Sequence, residues 1–499
     1  MKNTFLKGLK EDTNYTMTEK NSISHKTTMS DVFDMFAFGG AYRNRTDDDC
    51  ITLFKNALQE NEELALKCLF YLRDCREGQG ERRFFRVCYK WLAKEYPEIA
   101  KRNLPYIAEY GRWDDLIYVA AGTKLEELAF SIIKEQLEWD LTVSAPSLCA
   151  KWMPSINTSS AETRQLGIKL RKFLEMSNKD YRKMLAKLRK QINIVERLMS
   201  ENKWDEIQFD KLPSKAGLKY KDAFARRDLI AEKYKEFAAS KDTKVNATVL
   251  YPYDIAHEVF NNFWDMTETD RAMLQKYWDN LPNYYGDKEE NGLAIVDTSG
   301  SMTGRPLEAA VSLGAYIAEK AHGPFANHFI TFSNEPDLIR FEGTDITDKF
   351  KRAIRANWDG TTNLKAVFDL LLKVAKKEGT AAEDMPQKLY IFSDMEFDGA
   401  IEYPKRRSYF ARNTKEAEEQ INTLLEDIAN EWKAVGYELP PIVFWNLDAR
   451  HNLIPILRGR FSYVSGLSPV MIQTILSGKD GYDLMIAKLV NSDRYDVIH

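Results

Sequence analysis

The sequence lacks the features that mark secreted, disulfide-bonded and membrane-spanning proteins. No apolar run approaches the roughly 18–20 residues that cross a membrane, and residues 1–30 are polar, without the apolar core of a secretory leader. Cysteine is scarce, odd in number and never arranged as a C-x-x-C pair, which argues against a disulfide framework or a zinc motif. The five positions are Cys50, Cys68, Cys75, Cys88 and Cys149. We therefore expect a reducing, cytoplasmic setting.

Histidine is also scarce, and this bears on catalysis. The six histidines are His25, His257, His322, His328, His451 and His499. They are dispersed along the chain, and no nucleophile–base pair or glycine-rich phosphate loop accompanies them. An enzyme in which a metal ion activates water is therefore the least favoured interpretation. We predict a binding protein, not an enzyme.

Charge is unevenly distributed along the 499 residues, although the net charge is only -4. Residues 151–245 carry 23 lysines and arginines against 13 aspartates and glutamates, a net +10, so the remainder carries -14. A basic region on a mildly acidic protein favours binding to a polyanion. Solvated helix faces would give the same pattern, and composition alone leaves both interpretations open.

The most informative stretch is Gly292-Leu-Ala-Ile-Val-Asp-Thr-Ser-Gly-Ser-Met302. Its apolar first half predicts a buried parallel strand, and the polar side chains of Asp297, Ser299 and Ser301 follow directly. Ligands of open α/β sheets bind beyond the carboxyl ends of the strands. One carboxylate and two hydroxyls suit Mg2+ or another divalent cation, although aspartate and serine at this point could also cap a helix.

Two later stretches extend this pattern. Asp359-Gly-Thr-Thr-Asn-Leu364 is a turn that opens a helix, and Leu389-Tyr-Ile-Phe-Ser-Asp394 is a second strand ending in a carboxylate. The order of the three segments resembles the metal-ion-dependent adhesion site of von Willebrand factor A (vWA) domains. The resemblance implies that the metal is held by Asp297, Ser299, Ser301, Thr362 and Asp394, with Thr361 as the alternative to Thr362. Glu396 and Asp398 could support these ligands, and a basic insert around Arg406 could close the site.

The periodicity predicts two kinds of domain, of fold class α + α/β. Helical spacing without a strict repeat predicts a HEAT-like α-helical repeat domain over residues 31–285, after a flexible segment over 1–30. Alternating strands and helices over 286–499 predict a doubly wound, Rossmann-like domain, and the resemblance of its motifs implies that it is of the vWA kind. The predicted strands are Gly292–Asp297, Asn327–Phe332, Lys388–Asp394, Pro441–Leu447 and Phe461–Val464. The predicted helices are Leu307–Ala321, Thr347–Ala356, Leu364–Glu378 and Lys415–Gly436.

The basic middle region contains the candidate RNA contacts. The pattern predicts an amphipathic helix over Asp180–Ser200, with an apolar stripe and a basic surface. Basic residues interleaved with aromatic rings suit single-stranded or irregular RNA, whereas a basic face folded over core aromatics is the alternative. The candidates are Lys151, Arg182, Lys183, Lys187, Arg189, Lys190, Arg226 and Arg227. Trp152 beside Lys151 is either a base-contacting corner or, as we favour, a packed helix end.

The architecture resembles the TROVE (Ro autoantigen-like) family, and more closely its bacterial and viral relatives. The resemblance is carried by Arg73–Arg82, Gly111–Leu116, Ala150–Ser155, the D-T-S-G-S motif, Ile391–Met395 and Val443–Leu447. It implies an RNA-binding ring or clamp whose Mg2+-dependent vWA head recruits a partner. The alternative is a protein-interaction module that uses the metal to capture an acidic partner, without nucleic acid.

Overall fold

The computed structural model describes residues 14–192, 194–332, 334–355, 361–398, 423–457 and 459–499. The chain divides into two units. The sheet unit consists of the described residues up to Arg45, Pro252–Trp264 and Asn283–Lys488. The helical unit consists of Thr46–Tyr251, Asp265–Pro282 and Leu489–His499.

The sheet unit contains a two-stranded antiparallel hairpin, β1 (Tyr15–Met17) and β2 (Ile23–His25), and a six-stranded sheet. The six strands are β3 (Gly292–Val296), β4 (His328–Thr331), β5 (Leu338–Arg340), β6 (Lys388–Ser393), β7 (Ile442–Asn446) and β8 (Phe461–Ser465). Their order is β5-β4-β3-β6-β7-β8, in which only the β4–β5 pair is antiparallel. The five predicted strands are confirmed, each end within one residue.

The strand order reverses direction between β3 and β6, which are direct neighbours. From β3 the chain continues outward to β4 and β5, and from β6 it continues the other way to β7 and β8. Val296 pairs with Phe392, so both strands end at the same edge of the sheet. Ligands bind in the crevice at such a switch point in open α/β sheets. The topology thus brings Asp297 and Asp394 to one place.

Helices flank this sheet, and local sequence signals explain their ends. The α-helices of the sheet unit are Asp31–Phe38, Pro252–Asn261, Arg305–Lys320, Ile346–Ile354, Leu364–Glu378, Leu424–Ala434, Met471–Ile475 and, except for its last residue, Gly481–Leu489. Leu364–Glu378 has its predicted bounds because the Asn363 side chain caps its first turn. It ends where Gly379 adopts a left-handed conformation, at a φ of 63°. The predicted helix Lys415–Gly436 lies partly outside the described residues.

The helical unit has no strand among its described residues. Its α-helices are Asp47–Glu60, Glu62–Arg73, Arg82–Glu95, Pro97–Asn103, Ile107–Tyr110, Trp113–Ala120, Glu126–Asp140, Cys149–Trp152, Ala161–Phe173, Asn178–Gln191, Val195–Ser200, Ser214–Arg226, Asp228–Ala239 and Glu268–Asp279. Helices adjacent in the chain pack in pairs, and Phe70, Phe85, Tyr89 and Tyr110 form a buried aromatic cluster between them. The helical character of this region is therefore confirmed, whereas a HEAT-like repeat stays a prediction.

The two units divide the chain differently from the predicted domains. Residues 14–30, which we expected to be flexible, include the β1–β2 hairpin, and its His25 pairs with Ile454 by two backbone hydrogen bonds of 2.9 Å. Pro252–Asn261 joins the sheet unit because it packs against Arg305–Lys320. The tail from Leu489 belongs to the helical unit, where the Arg494 guanidinium bonds Asp74 at 2.9 Å. These long-range contacts leave no periodic signal in the sequence.

Crossing a bilayer requires a long apolar helix, and the described part of the chain contains none.

The close approach of helix Arg305–Lys320 to β3 gives a test of the fold. A Cβ atom added at Gly314 would lie 2.5 Å from the Val296 Cγ2 atom. We expect Gly314→Ala to lower the free energy of unfolding by about 1–2 kcal/mol, since overpacking exceeds the gain in helix propensity. Urea unfolding followed by circular dichroism measures the change. Gly300→Ala is the matched control because a Cβ atom there meets nothing within 4 Å. Equal stability of the two variants would contradict the packing described.

Candidate metal centre and basic surface

Asp297 lies just beyond β3 and is fully buried. The carboxylate accepts hydrogen bonds from the Ser299 amide at 2.9 Å and from the Ser393 hydroxyl at 2.5 Å. The Ser299 and Ser301 hydroxyls lie 2.9 Å apart. Three of the predicted ligands are thus together at the carboxyl end of β3, and the Ser393 hydroxyl from β6 joins them.

Asp394 follows β6 and is also buried. Its two oxygens accept hydrogen bonds from the Glu396 amide at 3.1 Å and from the Arg450 guanidinium at 2.7 Å. Burial, followed by the nearby charge of Asp394, raises the pKa of Asp297 to about 7. Two buried carboxylates close to each other repel, and a cation between them relieves that repulsion.

Thr362 is buried but has another set of partners. Its amide and hydroxyl both bond Asp398, at 3.1 and 2.7 Å. The Lys20 ammonium donates to the Thr362 hydroxyl at 2.6 Å and lies 3.4 Å from Asp398. Asp398 therefore positions Thr362, as the sequence suggested for a supporting carboxylate. Thr361, the alternative ligand, has intermediate exposure.

The β1–β2 hairpin and the segment after β7 contribute to the same region of the sheet unit. The Thr18 hydroxyl donates to the Phe397 carbonyl at 2.8 Å, and the Glu19 amide donates to Glu396 at 2.8 Å. His451 contacts Glu396 at 2.6 Å, and this pair together with Glu19 forms a group of side chains spaced to hold a metal ion. The chain's own hairpin thus covers this side of the site, while Arg406, expected there, lies outside the described residues.

The donor set suits a hard divalent cation. Mg2+ prefers oxygen ligands, with few carboxylates and several waters, and the buried oxygens of Asp297, Ser299 and Asp394 provide them. Among the described residues Asp394 has a cationic partner, Arg450, whereas Asp297 is bonded only by neutral donors, and the remaining negative charge supports this interpretation. Lys20 and Arg450 supply positive charge at the edge of the same constellation. Metal binding, and the vWA character of the unit, stay predictions.

In the helical unit, three of the segments that carry the family resemblance come together. Arg73 donates twice to the buried Asp115 carboxylate, at 2.9 and 2.7 Å, and Arg86 donates to it at 2.6 Å. Arg112 pairs with Asp114, at 2.9 and 2.6 Å, and its guanidinium lies 3.9 Å from the centre of the Trp152 ring. Arginine and carboxylate side chains thus fix Trp152 beside a dense cluster of positive charge.

Arg82 adds to this cluster. Burial, and then the neighbouring guanidiniums of Arg112 and Arg86, lower its pKa below the ordinary value. Among the described residues, nothing forms an ion pair with its side chain. The cluster therefore carries more positive than negative charge.

The predicted RNA contacts fall into two groups. Most of them are exposed, whereas Lys151 and Arg189 are half-buried. Arg189 donates to the carbonyls of Ala150 and Met153, both at 2.9 Å, so its guanidinium organises the turn that contains Trp152. The exposed candidates are Arg182, Lys183, Lys187, Lys190, Arg226 and Arg227. Their contact with RNA stays a prediction.

Several residues of these sites were not found by sequence reasoning. Ser393 was part of a recognised motif, so its hydroxyl could have been assigned from its place beside Asp394. Lys20 and Arg450 lie far away in the sequence, 342 residues from Thr362 and 56 residues from Asp394 respectively. Arg82, Arg86 and Arg112 were in or beside the quoted segments, but only the fold shows that they meet.

Comparison with known proteins gives two family matches, a viral sequence relative and a solved structure. A family described as "Domain of unknown function (DUF2828)" matches residues 18–128 and 157–283, and one described as "Domain of unknown function (DUF7788)" matches 291–493. An uncharacterized protein of Acanthamoeba polyphaga mimivirus is 28% identical over 520 residues, covering 94% of this chain and 85% of that protein. The crystal structure of the Ro (RSR) protein of Deinococcus radiodurans covers 93% of this chain and 100% of that chain. The two chains are 12% identical, with a TM-score of 0.43.

The two buried carboxylates predict a response to divalent cations. We expect Mg2+ to raise the melting temperature relative to EDTA, by the equivalent of about 2.7 kcal/mol at 100 times its dissociation constant. Asp297→Asn should abolish this rise because it removes a charged ligand while keeping the side-chain shape. Thermal unfolding with and without Mg2+ measures both.

Asp384→Asn is the matched control for this experiment. Asp384 is exposed in the turn before β6, at the opposite edge of the sheet, so its loss should leave the Mg2+ effect intact. An equal Mg2+ response in wild type and Asp297→Asn would place the ion elsewhere. If Mg2+ does not change the melting temperature of the wild type, the hypothesis of a metal centre is refuted.

Proposed function

We propose that this protein binds RNA without catalysis, through the basic surface of its helical unit. The observation that carries the proposal is the helix Asn178–Gln191. Its buried side consists of Tyr181, Leu185 and Leu188. On its other side, four exposed cations (Arg182, Lys183, Lys187 and Lys190) form no ion pair with any carboxylate of the described residues.

Uncompensated cations on one helix face destabilise the fold because they repel one another, and they favour the binding of a polyanion. Like charges repel, and a surface usually mixes both signs. Phosphates neutralise such a face and release condensed counterions, which supplies most of the affinity of nucleic-acid binding. The net +10 of residues 151–245 shows that the excess is not confined to one helix.

Aromatic rings beside cations favour RNA with unpaired bases. The exposed Arg227 guanidinium lies 4.7 Å from the centre of the buried Trp204 ring, so at that point the guanidinium plane and not the ring is open to a base. The Lys219 ammonium lies 4.8 Å from the centre of the half-buried Tyr220 ring. Proteins recognise unpaired bases by stacking them on rings and guanidinium planes. A ring- or clamp-like arrangement, as the family resemblance implies, is part of the proposal.

The sheet unit supplies the second part of the proposal, a Mg2+-dependent head that recruits a partner. The oxygen set around Asp297 supports metal binding. The alternative function, capture of an acidic protein at the metal without nucleic acid, is less favoured. Arg450 and the hairpin residue Lys20 already contact Asp394 and Thr362, so a partner's carboxylate would have to compete with the chain's own groups.

The cysteines support a reducing, cytoplasmic location. All five lie in described residues and are free, and four of them are buried. Burial raises the pKa of the Cys50 thiol to about 11, so it stays protonated and unreactive near neutral pH. Buried protonated thiols need no disulfide partner, as expected where disulfides are rare.

Charge reversal tests the RNA proposal. We expect the triple variant Lys183→Glu, Lys187→Glu and Lys190→Glu to weaken binding of a fluorescein-labelled decamer of adenylate RNA. The slope of log affinity against log salt should fall in magnitude by about 2, because each phosphate contact on a single strand contributes about 0.7. Fluorescence anisotropy across a salt gradient measures affinity and slope together.

The matched control reverses the same number of charges elsewhere in the helical unit. Lys55, Lys94 and Lys101 are exposed on other helices, and the described residues give them no ion-pair partner. Their triple change to Glu should leave affinity and salt slope close to the wild-type values. Equal losses of RNA affinity in both variants would show that the effect comes from the net charge of the protein and not from this helix. No RNA binding by the wild type would refute the proposed function.

A further inference from the structure

A cavity of about 430 Å³ lies in the helical unit beside the turn Ala150–Ser155. Two aromatic side chains, Tyr118 and Trp152, line it together with Lys151 and the hydroxyl-bearing Ser155 and Thr158. Its remaining lining combines apolar side chains, including Ile117, Met153, Leu166 and Ile194, with the charged side chains of Asp114, Arg189 and Glu196. An apolar cavity of this size with a few polar groups is typical of a small-ligand site.

The wall that carries Trp152 is fixed in advance by distant residues. Arg189 bonds the Ala150 and Met153 carbonyls, and the Tyr181 hydroxyl donates to the Pro154 carbonyl at 2.9 Å. A Cβ atom at Gly167 would lie 2.9 Å from that same carbonyl, so glycine is required for the close approach. A preorganised wall lowers the entropic cost of binding.

The charges around the cavity favour an anionic ligand. Asp114 lines it, but burial, which would raise its pKa, is outweighed by hydrogen bonds from Arg112 and Arg86 that hold its pKa below the ordinary value. Its negative charge is therefore compensated. Glu196, the other carboxylate of the lining, accepts a hydrogen bond from the Tyr220 hydroxyl at 3.3 Å, and Lys151 and Arg189 bring two cations to the same lining. Lys151 has no ion-pair partner among the described residues, and neither has Arg82 in the adjoining cluster.

We propose that this cavity binds one unpaired nucleotide, with its base against the Trp152 ring and its phosphate at Lys151. The Arg112 guanidinium over Trp152 polarises and orients the ring, and rings and guanidinium planes are the usual platforms for a base. If the bound nucleotide is part of an RNA chain, the inference rests on the proposed function. The same chemistry would also bind a free nucleotide, and the experiment separates the two sources.

Two ligands with the same base provide the test. Binding of adenosine 5′-monophosphate is measured by calorimetry, and binding of the labelled adenylate decamer by anisotropy. Trp152→Leu should weaken binding about tenfold or more, without changing the salt slope, because stacking is lost and no charge is removed. Lys151→Gln should weaken it and lower the magnitude of the slope by about 0.7.

The controls are Trp139→Leu and Lys55→Gln. Trp139 is 64% exposed in the same unit, and Lys55 is exposed on another helix, so neither change should alter binding. Circular dichroism verifies that each variant is folded. If Trp152→Leu does not fold, a decamer carrying 8-azidoadenosine is photocrosslinked to the wild type, and the adduct should map to the cavity lining. Adducts only elsewhere would overturn the inference.

The outcomes separate the inference from the proposed function. Decamer binding that depends on Trp152 supports both. Decamer binding that is equal in Trp152→Leu and Trp139→Leu keeps RNA binding and overturns the nucleotide cavity. Binding of the monophosphate alone, lost in Trp152→Leu, keeps the cavity as a free-nucleotide site and refutes RNA binding. If neither the monophosphate nor the decamer binds the wild type, the nucleotide cavity and RNA binding are both refuted.

Discussion

Two buried carboxylates, Asp297 and Asp394, lie at the ends of adjacent strands, and much of the sheet unit compensates their charge. The strand order places them together because β3 and β6 are neighbours that end at the same edge. Hydrogen bonds from Ser393 and the guanidinium of Arg450 offset part of the cost of burial. Burying a charge without such partners costs several kcal/mol, so this constraint links the end of the sheet to residues far away in the sequence.

The helical unit also buries a carboxylate with compensating partners, but its excess charge is positive. Asp115 is fully buried and accepts hydrogen bonds from Arg73 and Arg86, which makes it the fixed centre around which three sequence segments assemble. In the adjoining cluster, however, cations outnumber carboxylates, and Arg82 keeps a charge that the described residues do not neutralise. One unit therefore concentrates buried negative charge, and the other leaves positive charge exposed.

The sequence was sufficient for features with local causes and insufficient for those with distant ones. Strand ends were predicted within one residue, since apolar runs and polar ends lie in the chain itself. The strands β1 and β2 were missed because each has only three residues, and the contacts of their hairpin with Phe397 and Ile454 come from hundreds of residues away. β5 was missed since Leu338 and Arg340 are exposed and give no buried pattern. Charge alone predicts Arg189 as a phosphate contact, but it does not show that the guanidinium bonds the Ala150 and Met153 carbonyls.

At the sheet edge, a metal ion bound as proposed would compete with cations of the chain itself. Lys20 reaches Thr362 from the β1–β2 hairpin, and Arg450 reaches Asp394 from the segment after β7. A divalent cation held by Asp297 and Thr362 would repel the ammonium and weaken the hold of the hairpin residue on this site. Each ligand of such a pair lowers the affinity of the other by the same factor, because the coupling is reciprocal. If these residues form a metal-dependent head, binding of the ion would thus be coupled to the position of the N-terminal hairpin.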